Sequence, residues 1–331
     1  MLPKVTINCL GWNSKSYLRA AFESILNQTY PKIEVVFIDN GSEDGSIDFV
    51  KDNFPEVRII DNKKNLGYAH AHNIGIREAQ GKYVICANPD IILEDDFVSR
   101  AVEVLEKDAS IGALSGKLLQ MKEDGTRTKL IDSTGFKIFK SRRVIDRGSG
   151  EEDQGQYEKQ ERVFGVSGAL SVFSKKALDD VKIFDQYFDL DFENYKEDID
   201  LSWRLNLYGW KCVYAPEAIA YHERGTALGA QAKASDFLAE KKKHSFRAKY
   251  FSFKNHSLVL VKNDFLRYYL KDLPFILFYE LKRWAYVLFR EPKLFSSFYK
   301  MLVQFPQALK KRRVIMQGKR IKPKVIRGFF S

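Results

Sequence analysis

Cysteine is scarce: there are three in 331 residues. Cys9, Cys86 and Cys212 each sit inside an apolar run, an odd and scattered set that offers neither a disulfide framework nor a thiolate metal site. Long uninterrupted apolar runs are missing too. The most apolar stretch, 273–289, is broken by Glu280, Lys282 and Arg283, and its pieces fall well short of the roughly 20 residues that a spanning helix needs. No charged leader with a cleavage site precedes the first strand-like run, so the expectation is a chain that works in a reducing, cytoplasmic compartment. A glycine- and lysine-rich phosphate loop is also lacking where the first strand ends in Gly11-Trp12-Asn13, which argues against a nucleotidyltransferase.

What is present is a chain with 45% hydrophobic residues, long enough to bury a sizeable core. Its net charge of +11 is unevenly placed. Residues 223–331 hold 25 Lys and Arg against 7 Asp and Glu, whereas residues 1–222 hold 29 against 36. An acidic body with a basic tail predicts that the tail meets an anionic partner. From 238 onward, Lys and Arg alternate with Phe, Tyr and Trp in amphipathic helical patterns, as helices lying in an anionic membrane surface do. No nucleic-acid recognition motif accompanies the charge, so a membrane is expected and nucleic acid is not. The organisation predicted is a catalytic domain over 1–222 and a basic, aromatic-rich, membrane-associating helical region over 223–331.

In the body, strand-like and helix-like segments alternate: strands at 5–10, 33–38, 57–60 and 82–87, and helices at 15–27, 45–53, 69–78 and 95–107. Asn13 or Ser14 is placed to cap the first helix. This alternation predicts an α/β fold, a mostly parallel central sheet with helices on both faces. Ligands of such sheets sit beyond the carboxyl ends of the strands, where Gly11, Asp39, Asn65 and Asp90 fall. The stretch 112–161 reads as a few short strands around a mobile loop near 148–156. Gly168 and Ala169 suit either close approach to a ligand or tight strand packing. Two further short strands are expected at 210–214 and 218–221.

Three carboxylates crowd the head of a helix in Lys196-Glu197-Asp198-Ile199-Asp200-Leu201. Leu201, Leu205 and Tyr208 recur at helical spacing and Gly209 suits a left-handed stop. In the first turn, free backbone N–H groups and the helix dipole favour an ionised carboxylate, the form that a general base needs. Asp200 is spaced to pair with Arg204.

The ordered set of Ile7 to Asn13, Asp39-Asn40-Gly41-Ser42, Asn65-Leu66-Gly67-Tyr68, Asn73, Asn88-Pro89-Asp90, Glu197-Asp198 and Tyr221-His222 resembles family 2 glycosyltransferases of the GT-A fold, a Rossmann-like architecture, and most of all their rhamnosyltransferase-type branch. The resemblance covers about two thirds of the chain. It implies that Asp39 hydrogen-bonds a pyrimidine ring while Leu10, Gly11, Asn13 and Asn40 line the nucleotide, with Asn65, Gly67 and Asn73 shaping the wall. Asn88-Pro89-Asp90 takes the place of an acid-any-acid metal motif and keeps one acid only. Asp90 and His222 are then the expected ligands of Mg2+ or Mn2+. Asp198 would be the base of an inverting displacement, with Glu197 in support. The Gln-any-any-Arg-Trp motif of processive members is missing, which implies addition of a single sugar.

The expectation is therefore an inverting, metal-dependent glycosyltransferase, peripheral on the inner face of the cell membrane. Its donor is expected to be dTDP-rhamnose, or alternatively UDP-galactose, UDP-glucose or UDP-N-acetylglucosamine. Its acceptor is expected to be lipid-linked or a growing glycan. A non-catalytic membrane adaptor is the rival, and the presence of Asp39, Asp90 and Asp198 together speaks against it.

Overall fold

A computed structural model describes residues 1–223 and 245–331. The expected alternation is present as β1 (Val5–Gly11), α1 (Lys15–Leu26), β2 (Ile33–Asp39), α2 (Ser46–Asn53), β3 (Arg58–Asp61), α3 (Tyr68–Glu78) and β4 (Tyr83–Ala87). Every residue of β1 and β4 is buried, as strands covered on both faces are. β1 runs parallel to β2 and β4, pairing Gly11 with Asp39 and Cys9 with Ala87. Their carboxyl ends, with that of β3 opposite β2, share one edge.

β5 (Ile91–Leu93), α4 (Phe97–Lys107), β6 (Ile111–Met121), β7 (Arg127–Ser133), β8 (Phe136–Ile138), β9 (Val144–Asp146), β10 (Glu161–Val163), β11 (Leu170–Ser174), α5 (Lys175–Asp180), α6 (Glu197–Leu207) and β12 (Lys211–Glu223) follow. The main sheet runs β10-β12-β6-β11-β4-β1-β2-β3, with β5 on β12 and β7 on β6. β11 is antiparallel to β4 and starts where β4 ends, pairing Leu170 with Ala87. This reversal carries Gly168 and Ala169 to the ligand edge, where the Asn88 amide donates to the Ala169 carbonyl at 2.9 Å.

Two expectations are corrected. The stretch expected to hold only short strands contains β6, all eleven residues of which are buried in the sheet. Gly112, Gly116 and Lys117 obscure it in the sequence, yet Gly116 is required by packing, since a Cβ there would lie 2.3 Å from the Ala218 carbonyl oxygen. The two short strands expected at 210–221 are one strand, β12, whose register on β6 shifts between Ala215 and Ile219. Pro216 falls in that irregularity, where a missing N–H costs no ladder bond.

One face of the sheet packs a core from α1 and α4, with Phe22, Phe97 and Val98 fully buried. The other packs α6, whose Trp203, Leu205 and Leu207 meet Leu258, Val259, Ala308, Ile315 and Phe330 from the C-terminal helices. Those helices span Phe246–Asn263, Leu266–Lys271, Leu273–Arg290, Phe295–Gly318 and Pro323–Arg327; the expected Lys241–Lys243 stretch lies outside the described residues. Ten of the eleven residues of α6 are buried, so its polar side chains need internal partners. Asp200 takes the Arg204 guanidinium at 2.9 Å as its spacing implies, and also Lys262 Nζ and Asn263 Nδ2, each at 2.7 Å. Arg204 spends its remaining donors on the Val181 and Tyr187 carbonyls at 2.6 and 2.5 Å. Asp189 pairs with both Lys262 and Lys311. Ionic partners wholly out of water tie the C-terminal helices to the acid-bearing helix.

Candidate functional site

The donor edge is assembled from turns that hold one another. Asp39, fully buried at the end of β2, accepts the Gly41 and Ser42 amides on Oδ2 at 3.0 and 2.9 Å, while its Oδ1 has no partner. An unsatisfied buried acceptor at a sheet edge is a place for an N–H donor. Asn13, in the left-handed region at φ 49°, receives the Glu43 amide at 2.8 Å and gives its own amide to the Ser42 hydroxyl at 2.9 Å. Ser14 precedes α1, but its hydroxyl caps nothing; Asp44 accepts the Lys15 amide at 2.9 Å instead. The expected side-chain cap is thus supplied from the neighbouring turn. Leu10 is nine-tenths buried or more, and a Cβ on Gly11 would meet the Ser14 hydroxyl and the Phe37 ring.

Asn40 and Asn65 join these turns to α3. Asn40 Nδ2 donates to Asn65 Oδ1 at 3.1 Å, and Asn65 Oδ1 also takes the Gly67 amide at 3.0 Å. Gly67 needs φ 80°, and a Cβ there would lie 2.9 Å from the Glu193 carbonyl oxygen. Asn73 is placed differently from the pocket wall expected of it. It is 2% exposed, and its amide exchanges two hydrogen bonds with the Phe188 backbone at 2.7 and 2.8 Å. It therefore fixes the chain that leads to α6.

Asp90 and His222 are brought together because β5 pairs with the end of β12, setting His222 opposite Ile91. His222 Nε2 stands 3.4 Å from Asp90 Oδ2, and Nδ1 lies 2.8 Å from fully buried Asp132 of β7. Burial pushes the imidazole pKa down, but the hydrogen bonds and charges of Asp132 and Asp90 outweigh it and raise the value to about 9. Asp90 Oδ1 is buried without a partner. Among the described residues, no group of three or more His, Cys, Asp and Glu is arranged to hold a metal ion; Asp132 fixes the orientation of the His222 ring. Sequence reasoning missed Asp132 because nothing around it forms a motif.

The acid pair heads α6 as expected, and Gly209 ends the helix in the left-handed region at φ 90°. Glu193, Tyr195 and Lys196 hold φ of 62°, 66° and 73°, each costing on the order of 1–3 kcal/mol unless the surroundings enforce it. Asp198 Oδ2 accepts the Gly168 amide at 3.0 Å and Oδ1 the Ile199 amide at 2.7 Å. Gly168 thus belongs to the site. Its carbonyl takes the Tyr68 hydroxyl at 2.6 Å, and a Cβ there would press on Asp198 at 3.2 Å.

The expectation that the helix start leaves both acids ionised is corrected for Glu197. Burial, and secondarily the charge of Asp198, lifts its pKa well above the usual range. A helix dipole contributes about 0.3–1 kcal/mol near the surface, whereas full burial moves a carboxyl by up to about 3–5 pKa units at about 1.4 kcal/mol each. Burial wins at Glu197, which is 5% exposed and has one carboxyl oxygen without a partner. Burial also raises Asp198, but the Gly168 and Ile199 amides pull it back. Both carboxyls are thus raised, Glu197 the more, because the Gly168 and Ile199 amides meet Asp198.

Of these groups, Asn65, Asn88, Gly168, Glu197, Asp198 and His222 line one cavity of about 930 Å3, whereas Asp39 and Asp90 are not in its lining. Its wall also carries residues that sequence reasoning did not single out: Trp12, Asp146, Lys196 and, from the C-terminal helices, Arg247 and Ser252. Lys196 and Arg247 are its cations. Their positions beside a left-handed turn and beyond the sheet give no sequence signal.

Glu197→Gln tests the electrostatics. A carboxyl whose folded-state pKa exceeds its unfolded value binds more protons when folded, so its contribution to stability is lost as pH rises from the unfolded value of 4.5 toward the folded one. The amide variant lacks this loss. Its thermal midpoint is expected to exceed that of the wild type at about pH 8 and to converge with it in acid; an equal or lower midpoint in alkali refutes the assignment.

Comparison with known proteins agrees with this architecture. The poly-beta-1,6-N-acetyl-D-glucosamine synthase of Staphylococcus epidermidis is 26% identical over 216 residues, 63% of this chain and 47% of the relative; that of Staphylococcus aureus strain COL is 26% identical over 223 residues, 66% and 50%. The chain thus spans about half the length of these curated relatives. GalNAc-T7, solved with UDP, GalNAc and Mn2+, superposes with a TM-score of 0.59 at 15% identity over 81% of this chain and 49% of its own. The mannosyltransferase PcManGT of Pyrobaculum calidifontis, solved with GDP-Man and Mn2+, gives 0.52 at 16% identity over 99% and 79%. These likenesses show the fold, which is GT-A. Residues 11–182, more than half of the chain, match the family described as Glycosyl transferase family 2, and the chain is a member of that family.

Proposed function

We propose that the protein is an inverting, metal-dependent transferase that moves one sugar from a pyrimidine nucleoside diphosphate donor to a lipid-linked or growing bacterial glycan. The observation that carries this reading is the placement along one sheet edge of a buried carboxylate with an open acceptor (Asp39, closing β2), an Asp90–His222 pair with an open oxygen beyond β4, and Asp198, held on the Gly168 amide in the cavity wall. Asp39 Oδ1 suits the ring N–H of uracil or thymine. Rhamnose from dTDP-rhamnose is the first donor reading. UDP-N-acetylglucosamine is the second, favoured by the product named for the staphylococcal relatives.

A divalent ion fits the residues present. Asp90 and His222 would hold it, the imidazole giving up the proton that Asp132 and Asp90 otherwise stabilise on it, and diphosphate oxygens and water would complete the shell. Mn2+ suits the imidazole better than Mg2+ and is the ion named for both solved neighbours. When bound, it would supply positive charge to the departing diphosphate; Arg247, in the lining of the same cavity, would add to that charge, as would Lys196, whose pKa burial lowers. Asp198 takes the proton of the acceptor hydroxyl as that oxygen attacks the anomeric carbon, and Glu197 donates a hydrogen bond. No covalent sugar–protein bond is required.

The helices Leu273–Arg290 and Phe295–Gly318 bring this centre to a membrane. Among the described residues no helix is long and apolar enough to cross one. Yet Phe275, Phe278, Leu281, Leu288, Phe289 and Tyr299 are each more than half exposed, among exposed Lys282, Arg290, Lys293 and Lys300. Aromatic and aliphatic side chains interspersed with cations fit an anionic lipid surface, and the inner face of the cell membrane is the assigned location.

Asp198→Asn is expected to abolish transfer while nucleoside diphosphate affinity, read by thermal shift, stays near that of the wild type; retained transfer removes Asp198 as base. With Asp90→Ala, the Mn2+-dependent part of diphosphate binding is expected to vanish, and undiminished metal dependence rejects the ligand. Full-length protein is expected to float with phosphatidylglycerol vesicles, and Phe278→Glu with Leu281→Glu to reduce this strongly; equal flotation of the double variant argues that another surface binds lipid.

A further inference from the structure

We propose that Asn255, on the helix Phe246–Asn263 and outside the residues matched by the family, is a positioning residue for the catalytic acid: its amide holds the left-handed turn that presents Glu197 and Asp198. The inference rests on the reading of Asp198 as base. Three residues just before α6, Glu193, Tyr195 and Lys196, carry side chains yet hold positive φ. Such backbone springs back to extended or right-handed geometry unless contacts on several sides over-determine it.

Asn255 is wholly buried, and its Nδ2 donates to the carbonyls of Phe192, Asn194 and Tyr195 at 2.9, 2.9 and 2.7 Å. One side chain therefore gathers three carbonyls that an extended chain would point apart. The far side of the loop is held by α3. The Ala69 amide donates to the Glu193 carbonyl at 3.2 Å, and Asn194 Oδ1 accepts the Tyr68 amide at 3.0 Å. Upstream, Lys254 Nζ donates to the Asp191 carbonyl at 2.6 Å. The loop is clamped between the nucleotide side of the sheet and the C-terminal helix.

Downstream, the clamped turn runs directly into the first turn of α6, ahead of the Asp200 and Arg204 contacts that hold the body of the helix. Lys196 precedes the helix without any side-chain cap, and Asp198 reaches the Gly168 amide two residues later. Without the Asn255 amide, the Tyr195 carbonyl loses its partner and the turn relaxes, which moves Asp198 off Gly168. Asp39, whose partners lie within its own turn, is untouched. The clamp thus acts on the chemical step and leaves nucleotide binding alone.

The test uses full-length protein and the nucleotide sugar that the wild type hydrolyses from a panel of UDP- and dTDP-sugars with Mn2+. For Asn255→Asp, which keeps the shape and turns a donor toward three carbonyls into an acceptor, kcat is expected to fall about a hundredfold, the cost of an ångström-scale misplacement. Donor KM and nucleoside diphosphate Kd are expected to stay within about twofold. Amide exchange over 192–197 should quicken, with β1 and β4 unchanged. Asn255→Ser, which retains one donor, should lose less. Unchanged kcat in a folded variant overturns the proposal, as does a kcat loss matched by weaker diphosphate binding. If neither variant accumulates folded, Asn255 is a folding residue and the proposal falls. A wild type that hydrolyses no nucleotide sugar, or an active Asp198→Asn, defeats the reading of the site instead, while the exchange measurement still reports on the clamp.

Discussion

A carboxylate that must carry charge beside a deep cavity has to be met by N–H groups, and the rest of this protein is arranged around that constraint at Asp198. The Gly168 amide that meets it exists at that point only because β11 is antiparallel to β4 and begins at its end. Gly168 has no Cβ to displace the acid, and the Tyr68 hydroxyl holds its carbonyl. The adjacent Glu197 has one carboxyl oxygen without a partner in the same wall. Burial raises both acids, and the amides that meet Asp198 hold its rise below that of Glu197, a difference that the helix dipole they share could not make alone.

The same constraint explains why the C-terminal helices are fused into the core. An acid held by two amides is only as fixed as the helix that carries it, and α6 is anchored through buried charge: Asp200 to Arg204, Lys262 and Asn263, and Asp189 to Lys262 and Lys311. Breaking such a pair by removing one partner leaves a charge stranded at a cost of about 3–5 kcal/mol. The excess of cations in the tail, which from composition points outward to an anionic partner, is therefore partly spent inward on the acidic body. The outward share lies on the helices that also expose aromatic and aliphatic side chains.

The legible parts of the sequence are those where local chemistry and position coincide. Asp39 and Asp90 follow apolar, β-branched strands and stand out as acids in polar turns; Glu197 and Asp198 open an apolar-periodic segment closed by Gly209. Alternation alone is enough for the parallel half of the sheet. β6 was illegible because glycines demanded by its neighbours' backbone break the strand pattern, and β12 because its bulge at Pro216 splits one strand into two apolar runs. Asp132 and Asn255 were illegible for a different reason. Each acts through a partner about 60 or more positions away in the chain, and no local pattern records a contact of that separation.

Asn73 shows how the two kinds of information diverge. Its place in an ordered motif suggests contact with the ligand, but both ends of its amide are taken by Phe188, a residue at the head of the loop that leads to the acid pair. A polar residue in such a motif can thus serve the site without touching it, by fixing the segment that does. Asn40 behaves alike, linking the turn after β2 to Asn65, which itself lines the cavity. Asp39, Asp90 and Glu197 differ from these amides in each keeping a carboxyl oxygen buried without a partner, and a buried polar atom left unpaired costs stability unless something meets it. The amides thus hold the frame, and the open carboxyl oxygens are where it can take a partner from outside.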